Sequence, residues 1–343
     1  MVGRTGAPAR ATVIGTGLIG GSILLRLRAV GLDVAGWDPE PATRAEARHQ
    51  GVDAPETLEA AVAGRDVVFL CGPLPTLPET LLRVAELTGP ACVLTDVGST
   101  KAELAAFAVQ HRLADRFVPG HPMAGADTAG IKAATPTLLG SAAWVLCPTP
   151  GVAMSAFRWL AGLLADVFAA RVVPMSPEEH DAVVALSSHL PHLLAGALAG
   201  AVQRSALRDA VLALAAGSFR DGTRVAGHPP ERTANMLLSN RERVLGGLAG
   251  IRAFVDEVAA ALRDGDAATL TARHRESRAA RVALTGRTFV TRQRRFAVDA
   301  DDAAEVAHLL ALGASGGHLT GCRVAHDVVT YAEALPEIGS GQS

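Results

Sequence analysis

The chain has 343 residues, 49% of them hydrophobic, and a formal net charge of −2. That length and apolar content call for two domains or more and exclude wholesale disorder. The near-neutral balance gives no electrostatic reason for nucleic acid or an anionic membrane as a partner, and neither is expected. Eight arginines do fall between Arg273 and Arg295, but on a helix such a run reads as a solvated face. Cys71, Cys92, Cys147 and Cys322 are widely spaced with no C-x-x-C, as in a protein with reduced thiols and no zinc site. No apolar stretch precedes the first strand in "MVGRTGAPARATVIG", and runs such as "LLAGALAGAV" read as too short and interrupted to span a bilayer. A cytoplasmic protein is expected.

In chain order, short apolar runs at 11–15, 33–38, 66–71, 92–97, 116–120, 142–148 and 170–176 alternate with helical patterns. That alternation predicts an α/β domain over 1–175, a doubly wound parallel sheet with helices on both faces. At Ser176-Pro177-Glu178-Glu179 a capping box opens a long helix, and 176–290 reads as all-α. Within it Val244, Leu248, Ile251, Val255, Val258 and Leu262 recur at spacings of three and four. Such a seam lines either an internal core or a dimer interface. The tail, 291–343, reads as strand–helix–strand, too short for a core of its own.

"VIGTGLIGGS" joins the first strand to the first helix and places Gly15-x-Gly17-x-x-Gly20 in the turn, with Leu18 and Ile19 between the last two glycines. Glycines there permit a tight turn and a close approach to a pyrophosphate, which sits on the helix N-terminus. The second strand ends at Asp38, eighteen residues beyond Gly20. A carboxylate at that point accepts hydrogen bonds from the ribose hydroxyls of NAD and repels the extra phosphate of NADP. The nearest arginine is Arg44, so NAD is the expected cofactor. Gly72 and Pro73, after the third strand, suit a loop passing close to it.

Ligands of doubly wound sheets bind beyond the carboxyl ends of the strands. "TDVGSTK" brings Asp96, Ser99 and Lys101 there, and "GHPMAG" brings His121. Oxidising a C–OH carbon by hydride removal needs a group to take the hydroxyl proton, and an imidazole with a pKa of about 6.5 suits that role. Ser99 either orients that ring or caps the following helix. Here Gly120 would let the chain turn sharply, and Pro122 would hold the backbone after His121. Farther on, His180, His189 and His192 share one helix, and Pro191 predicts a break or kink in it. A metal pair and simple helix packing both remain open for His189 and His192. Arg220 and Arg224 in "SFRDGTR" form a candidate carboxylate clamp.

Together "VIGTGLIGGSI", "DVGSTK", "GHPMAG", "SPEEHDAVVALSSHLPH" and "FRDGTR" resemble the prephenate/arogenate dehydrogenase family of tyrosine biosynthesis, in the same order over roughly 11–262. The resemblance implies a Rossmann domain followed by a helical dimerisation domain, hence a homodimer. It also implies NAD(P)-dependent oxidative decarboxylation of a cyclohexadienyl acid to an aromatic product, with no metal. By motif position it makes His121 the acceptor of the ring hydroxyl's proton and Ser99 its partner. It places substrate carboxylates on His192 and Arg224, with His189 nearby, and it leaves the tail as either a remnant of an ACT-type regulatory domain or a segment that packs on the rest. This chain departs from the pattern twice: Ala126–Asp127 stands where relatives carry Thr-Glu, leaving Asp127 as a shortened acidic gate, and Thr233 stands where many carry tryptophan. Two rivals share the glycine loop, a β-hydroxyacid dehydrogenase or imine reductase and a non-catalytic NAD-binding sensor. The first group resembles this chain less, because the helix opening at Ser176 carries no lysine.

Overall fold

A computed structural model describes residues 9–125, 128, 130–149, 153–298 and 302–337. The chain divides into two compact units, Met1–Asp181 with Thr291–Leu335, and Ala182–Val290 with Pro336–Ser343.

The first unit is built on strands β1 (Arg10–Ile14), β2 (Asp33–Trp37), β3 (Val67–Leu70), β4 (Val93–Asp96) and β5 (Phe117–Val118). They form one parallel sheet in the order β2-β1-β3-β4-β5. A parallel bridge from Ala35 to Asp53 extends its far edge; counting that segment, the order becomes the 3-2-1-4-5-6 of a dinucleotide-binding sheet. Every residue of β3 and β4 is buried, as a strand covered on both faces requires. Helices α1 (Leu18–Ala29), α2 (Pro41–His49), α3 (Leu58–Val62), α4 (Leu77–Leu87) and α5 (Ala102–Gln110) connect the strands. Ile23, Leu24 and Leu27 of α1 pack with Val13 and Phe69 in one apolar cluster, whereas Leu77, Leu81 and Leu104 pack with Leu70 and Phe117 in another. The sheet is therefore wound on both faces, the Rossmann-type arrangement.

The strand expected over 116–120 is in fact two. Proline has no N–H for a ladder, and at Pro119 the chain leaves the first sheet for a second. There β6 (Gly120–Pro122) pairs antiparallel with β7 (Ala143–Leu146), which runs parallel to β8 (Arg171–Pro174). Helix α6 (Met154–Phe168) links β7 to β8.

The helical unit begins within a helix that runs from Pro177 to Gln203. Its parts are α7 (Pro177–Val184), a π-helical turn over Ala185–His189, and α8 (Leu190–Gln203). Ser176 and Glu179 cap it reciprocally: Ser176 Oγ accepts from the Glu179 N–H at 3.2 Å, and Glu179 Oε2 accepts from the Ser176 hydroxyl at 2.8 Å. Pro191 does not break this helix, because the wider π-turn just before it takes up the missing N–H and the bulk of the ring. The apolar run expected to be too short to span a bilayer is thus part of one 27-residue helix, long and apolar enough to do so by length and composition. Then follow α9 (Arg208–Leu214), α10 (Gly217–Thr223), α11 (Pro230–Ser239), α12 (Arg241–Asp264) and α13 (Ala267–Thr285). The 244–262 seam divides. Val244, Leu248 and Ile251 join Ala185 and Leu190 in the unit's core, whereas Val255 and Leu262 are 55% and 65% exposed.

Among the described residues the tail holds three strands where two were expected: β9 (Phe289–Ala297), then α14 (Asp302–Ala314), then β10 (His318–Ala325) and β11 (Val328–Pro336). The last two form a hairpin whose turn residues His326 and Asp327 both have positive φ, 48° and 61°, as a tight right-twisting hairpin turn requires. Leu319 of β10 pairs with Val172 of β8, so the tail completes the first unit's second sheet, in the order β6-β7-β8-β10-β11-β9. Arg158 of α6 fastens it from within: Nε donates to Glu305 at 2.9 Å and Nη2 to Asp302 at 2.8 Å, and the Tyr331 hydroxyl donates to Glu305.

Candidate active site

The glycine loop sits at the carboxyl ends of β1 and β3, on either side of the point where strand order reverses. Gly15 has φ +89°, and a Cβ there would lie 2.8 Å from the Cys71 carbonyl. Only glycine lets the loop touch the Cys71-Gly72-Pro73 segment. A Cβ on Gly20 would overlap the Gly15 carbonyl oxygen at 2.0 Å, which brings α1 against β1, whereas one on Gly17 would meet nothing within 4 Å. Gly17 is the N-cap of α1 and supplies no side-chain cap. Open space therefore faces the first-turn N–H groups, with Leu18 and Gly20 buried behind them and Ile19 partly buried. The arrangement fits a pyrophosphate.

Asp38 directly follows β2, with each carboxylate oxygen already holding one backbone N–H, Oδ2 from Thr16 at 2.9 Å and Oδ1 from Glu40 at 3.0 Å. A carboxylate has about four acceptor positions, so capacity remains for two ribose hydroxyls. Arg44 is turned elsewhere. Its guanidinium donates to the Asp38 and Pro39 carbonyls and pairs with Glu56 at 3.3 Å. That cation is thus committed, and a 2′-phosphate would meet the Asp38 carboxylate.

His121 lies on β6 opposite Val145 of β7. Gly120 before it makes no turn; it is extended strand, and glycine is needed there because a Cβ would stand 2.9 Å from the Asp96 carbonyl oxygen and Thr95 Oγ1. The close approach lets the Gly120 N–H reach Asp96 Oδ1 at 3.1 Å. Asp96 Oδ2 accepts from the Gly98 N–H at 2.8 Å and pairs with the ammonium of Lys101, both side chains being fully buried. One carboxylate thus ties the turn carrying Ser99 to the strand carrying His121. Ser99 itself is partly buried in that turn. It does not cap α5, whose first N–H, from Ala102, goes to Asp181 Oδ2 at 3.0 Å.

His121 Nδ1 is 2.9 Å from His180 Nε2, and His180 Nδ1 is 2.7 Å from Asp181 Oδ1. Asp181 also accepts the Lys101 N–H at 2.8 Å. Burial pushes His180 below the ordinary imidazole range and outweighs its bond to Asp181, with the Lys101 ammonium adding to the shift. Burial would raise Asp181, but hydrogen bonds from His180 and the Ala102 N–H win and hold it below the usual carboxylate range. Near neutral pH the pair is therefore a neutral imidazole on a carboxylate. Sequence reasoning noticed His180 only as one of three helix histidines and passed over Asp181, because their partners lie some 60 and 80 residues earlier in the chain.

In the helical unit His189 is fully buried, with the Asn240 amide on its Nδ1 at 3.1 Å. His192 donates from Nδ1 to the Ser188 carbonyl at 2.8 Å, and its Nε2 faces His228 Nδ1 at 3.0 Å. Burial lowers the pKa of His192 despite the Ser188 bond, and nearby His228, Arg232 and Arg224 lower it further. The guanidiniums of Arg224 and Arg232 thus both act on one ring, an arrangement that can receive an anion. His228 and Arg232 were passed over in the sequence, because the ring they face, His192, lies some 36 residues or more earlier in the chain. Asp127 lies outside the described residues.

Both domains have counterparts among known proteins. Residues 23–173 match the nucleotide-binding domain of prephenate dehydrogenase, and 176–276 match its dimerization domain. The prephenate dehydrogenase of Bacillus subtilis is 36% identical over 242 residues, 67% of this chain and 64% of that protein. The cyclohexadienyl dehydrogenase of Zymomonas mobilis is 31% identical over 279 residues, 79% of this chain and 94% of that one. A crystal structure of prephenate dehydrogenase from A. aeolicus, in complex with hydroxyphenyl propionate and NAD+, matches with a TM-score of 0.74 and 26% identity, over 81% of this chain and 99% of that one. With both domains present in order, and a relative matched over nearly its whole length, the chain belongs to the prephenate dehydrogenase family.

Proposed function

We propose that this chain catalyses the NAD-dependent oxidative decarboxylation of prephenate to 4-hydroxyphenylpyruvate, or of arogenate to tyrosine. The observation that carries this reading is His121, held through His180 and Asp181 on β6, just past the carboxyl end of the last strand of a dinucleotide-binding sheet. Bound NAD would supply the hydride acceptor. His121 takes the proton of the ring hydroxyl as hydride leaves the same carbon; the bond to the ring carboxylate then breaks, its electron pair aromatises the ring, and carbon dioxide departs. The proton held by His121 returns to the phenolate oxygen. Ser99 orients the hydroxyl, Gly15, Gly17 and Gly20 with Gly72 and Pro73 shape the cofactor's bed, and Arg224 and His192 hold carboxylate. His189 supports the helix from behind through Asn240. Formation of NADH from NAD with prephenate or arogenate tests the reading; no NADH with either acid sinks it.

Cofactor choice should follow Asp38. The protein should bind NAD more tightly than NADP, and Asp38→Ala should narrow that gap in a fluorescence titration. Tighter NADP binding by the unmutated protein would reverse the assignment.

Arg224→Ala should raise KM about tenfold or more, since a charge-assisted hydrogen bond is worth about 1.5–3 kcal/mol, with kcat changed less. An unchanged KM would move Arg224 to a structural role.

Assembly follows from the helical unit, where Leu186, Leu214, Leu238, Leu245 and Leu262 are 64–84% exposed. These leucines are apolar surface that a partner can cover, on a unit that matches a dimerization domain, and we take this unit as the one through which a homodimer forms. Light scattering at micromolar concentration should give twice the chain mass; a monomer would refute the dimer.

A further inference from the structure

His121, His180 and Asp181 form a hydrogen-bonded chain within the first unit, and the direction of each bond can be worked out from its far end. Asp181 is ionised, and its Oδ1 and Oδ2 accept from the Lys101 and Ala102 N–H groups at 2.8 and 3.0 Å. An ionised carboxylate can only accept, so the proton between it and His180, at 2.7 Å, belongs to His180 Nδ1. The opposite tautomer would set a bare ring nitrogen against a carboxylate oxygen. His180 is fully buried, and the buried ammonium of Lys101 also acts on it, both of which disfavour a second proton on the ring. With its proton on Nδ1, His180 presents a lone pair at Nε2. The bond of 2.9 Å to His121 then requires a proton on His121 Nδ1.

We propose that His180 and Asp181 are positioning residues that lock His121 in the tautomer whose Nε2 carries the lone pair. This rests on the reading of His121 as the proton acceptor, and it supplies what that reading lacks, a reason for the acceptor nitrogen to be bare before substrate arrives. Asp181 acts in two places at once. The same carboxylate that orients His180 caps α5, so the helix after the Ser99 turn and the imidazole chain share one anchor. A group that fixes the tautomer of a catalytic histidine can account for up to about 10⁴ in kcat. The chain positions and does not itself touch substrate.

The test reads the tautomer directly. Long-range ¹H–¹⁵N spectra of ¹⁵N-histidine-labelled full-length protein, at a pH where its imidazoles are neutral, should show His121 protonated at Nδ1, with assignment by the His121→Asn variant. In His180→Phe the Nδ1-protonated signal of His121 should give way to the Nε2-protonated form, and kcat should fall about 10²-fold or more while KM and NAD affinity change little. His180→Gln offers a side-chain carbonyl to His121 and an amide proton to Asp181, and it should recover part of that loss. An Nε2-protonated His121 in the unmutated protein would overturn the proposal, as would a His180→Phe variant with unchanged kcat. If neither cyclohexadienyl acid is oxidised, the proposed reaction fails, and the spectrum of the unmutated protein still decides the tautomer.

Discussion

Replacing His121 with asparagine should lower kcat by about 10²–10⁴, the usual cost of losing a general base, while NAD binding stays intact. Asparagine is polar and of similar reach, and it keeps an amide that can bond toward His180, so β6 should hold its place beside β7. What it lacks is a nitrogen able to accept the substrate's hydroxyl proton. The cofactor bed does not involve this side chain, because Gly15, Gly20 and Asp38 are held through Cys71, β1 and the Thr16 N–H. The unmutated enzyme should also slow toward acid pH, since an imidazolium cannot accept a proton. An Asn variant retaining more than about a tenth of the original kcat falls outside the range for a general base and would leave His121 as a strand residue.

The second large effect concerns stability. Lys101→Met should destabilise the first unit by about 3–5 kcal/mol, the cost of leaving one partner of a buried ion pair behind. Lys101 and Asp96 are both 0% exposed, so the stranded carboxylate would keep only the Gly98 and Gly120 N–H groups. Methionine fills much the same volume, which confines the effect to charge. Urea unfolding followed by circular dichroism measures it. A loss below about 1 kcal/mol would mean that the pair behaves like an exposed one. Because Asp96 ties the Ser99 turn to Gly120, kcat should fall in the same variant even where it remains folded.

Much of this was legible from the residues alone. The strands of the nucleotide-binding sheet, the glycine turn and Asp38 announce themselves because they obey local rules: apolar runs, a permissive turn, a carboxylate at a fixed distance. His121 stood out for a similar reason, a titratable ring between glycine and proline. What stayed hidden depends on pairing across long separations. The His121–His180–Asp181 chain joins residues about 60 apart, and no periodicity marks it. The split at Pro119 was masked by an apolar run that continues through it. Gly120 was read as a turn because glycine suits turns, whereas its use is to let two strands approach. The hairpin of β10 and β11 was hidden because histidine and aspartate, not glycine, occupy its two positive-φ positions.

The order of the chain has a consequence for how this protein is made. Residues 291–335 complete a unit begun by residues 1–181, and the helical unit is spelled out between them. On the ribosome, β8 emerges more than a hundred residues ahead of β10, the strand that pairs with it. Until Asp302 and Glu305 arrive, Arg158 lacks the carboxylates it binds in the finished unit, and that edge of the second sheet stays open. Domains usually complete themselves in order of synthesis, but this one waits until residues 291–335 have followed the whole helical unit. A nascent chain stalled before residue 302 should therefore be more easily cleaved by protease near α6 and β8 than the released protein.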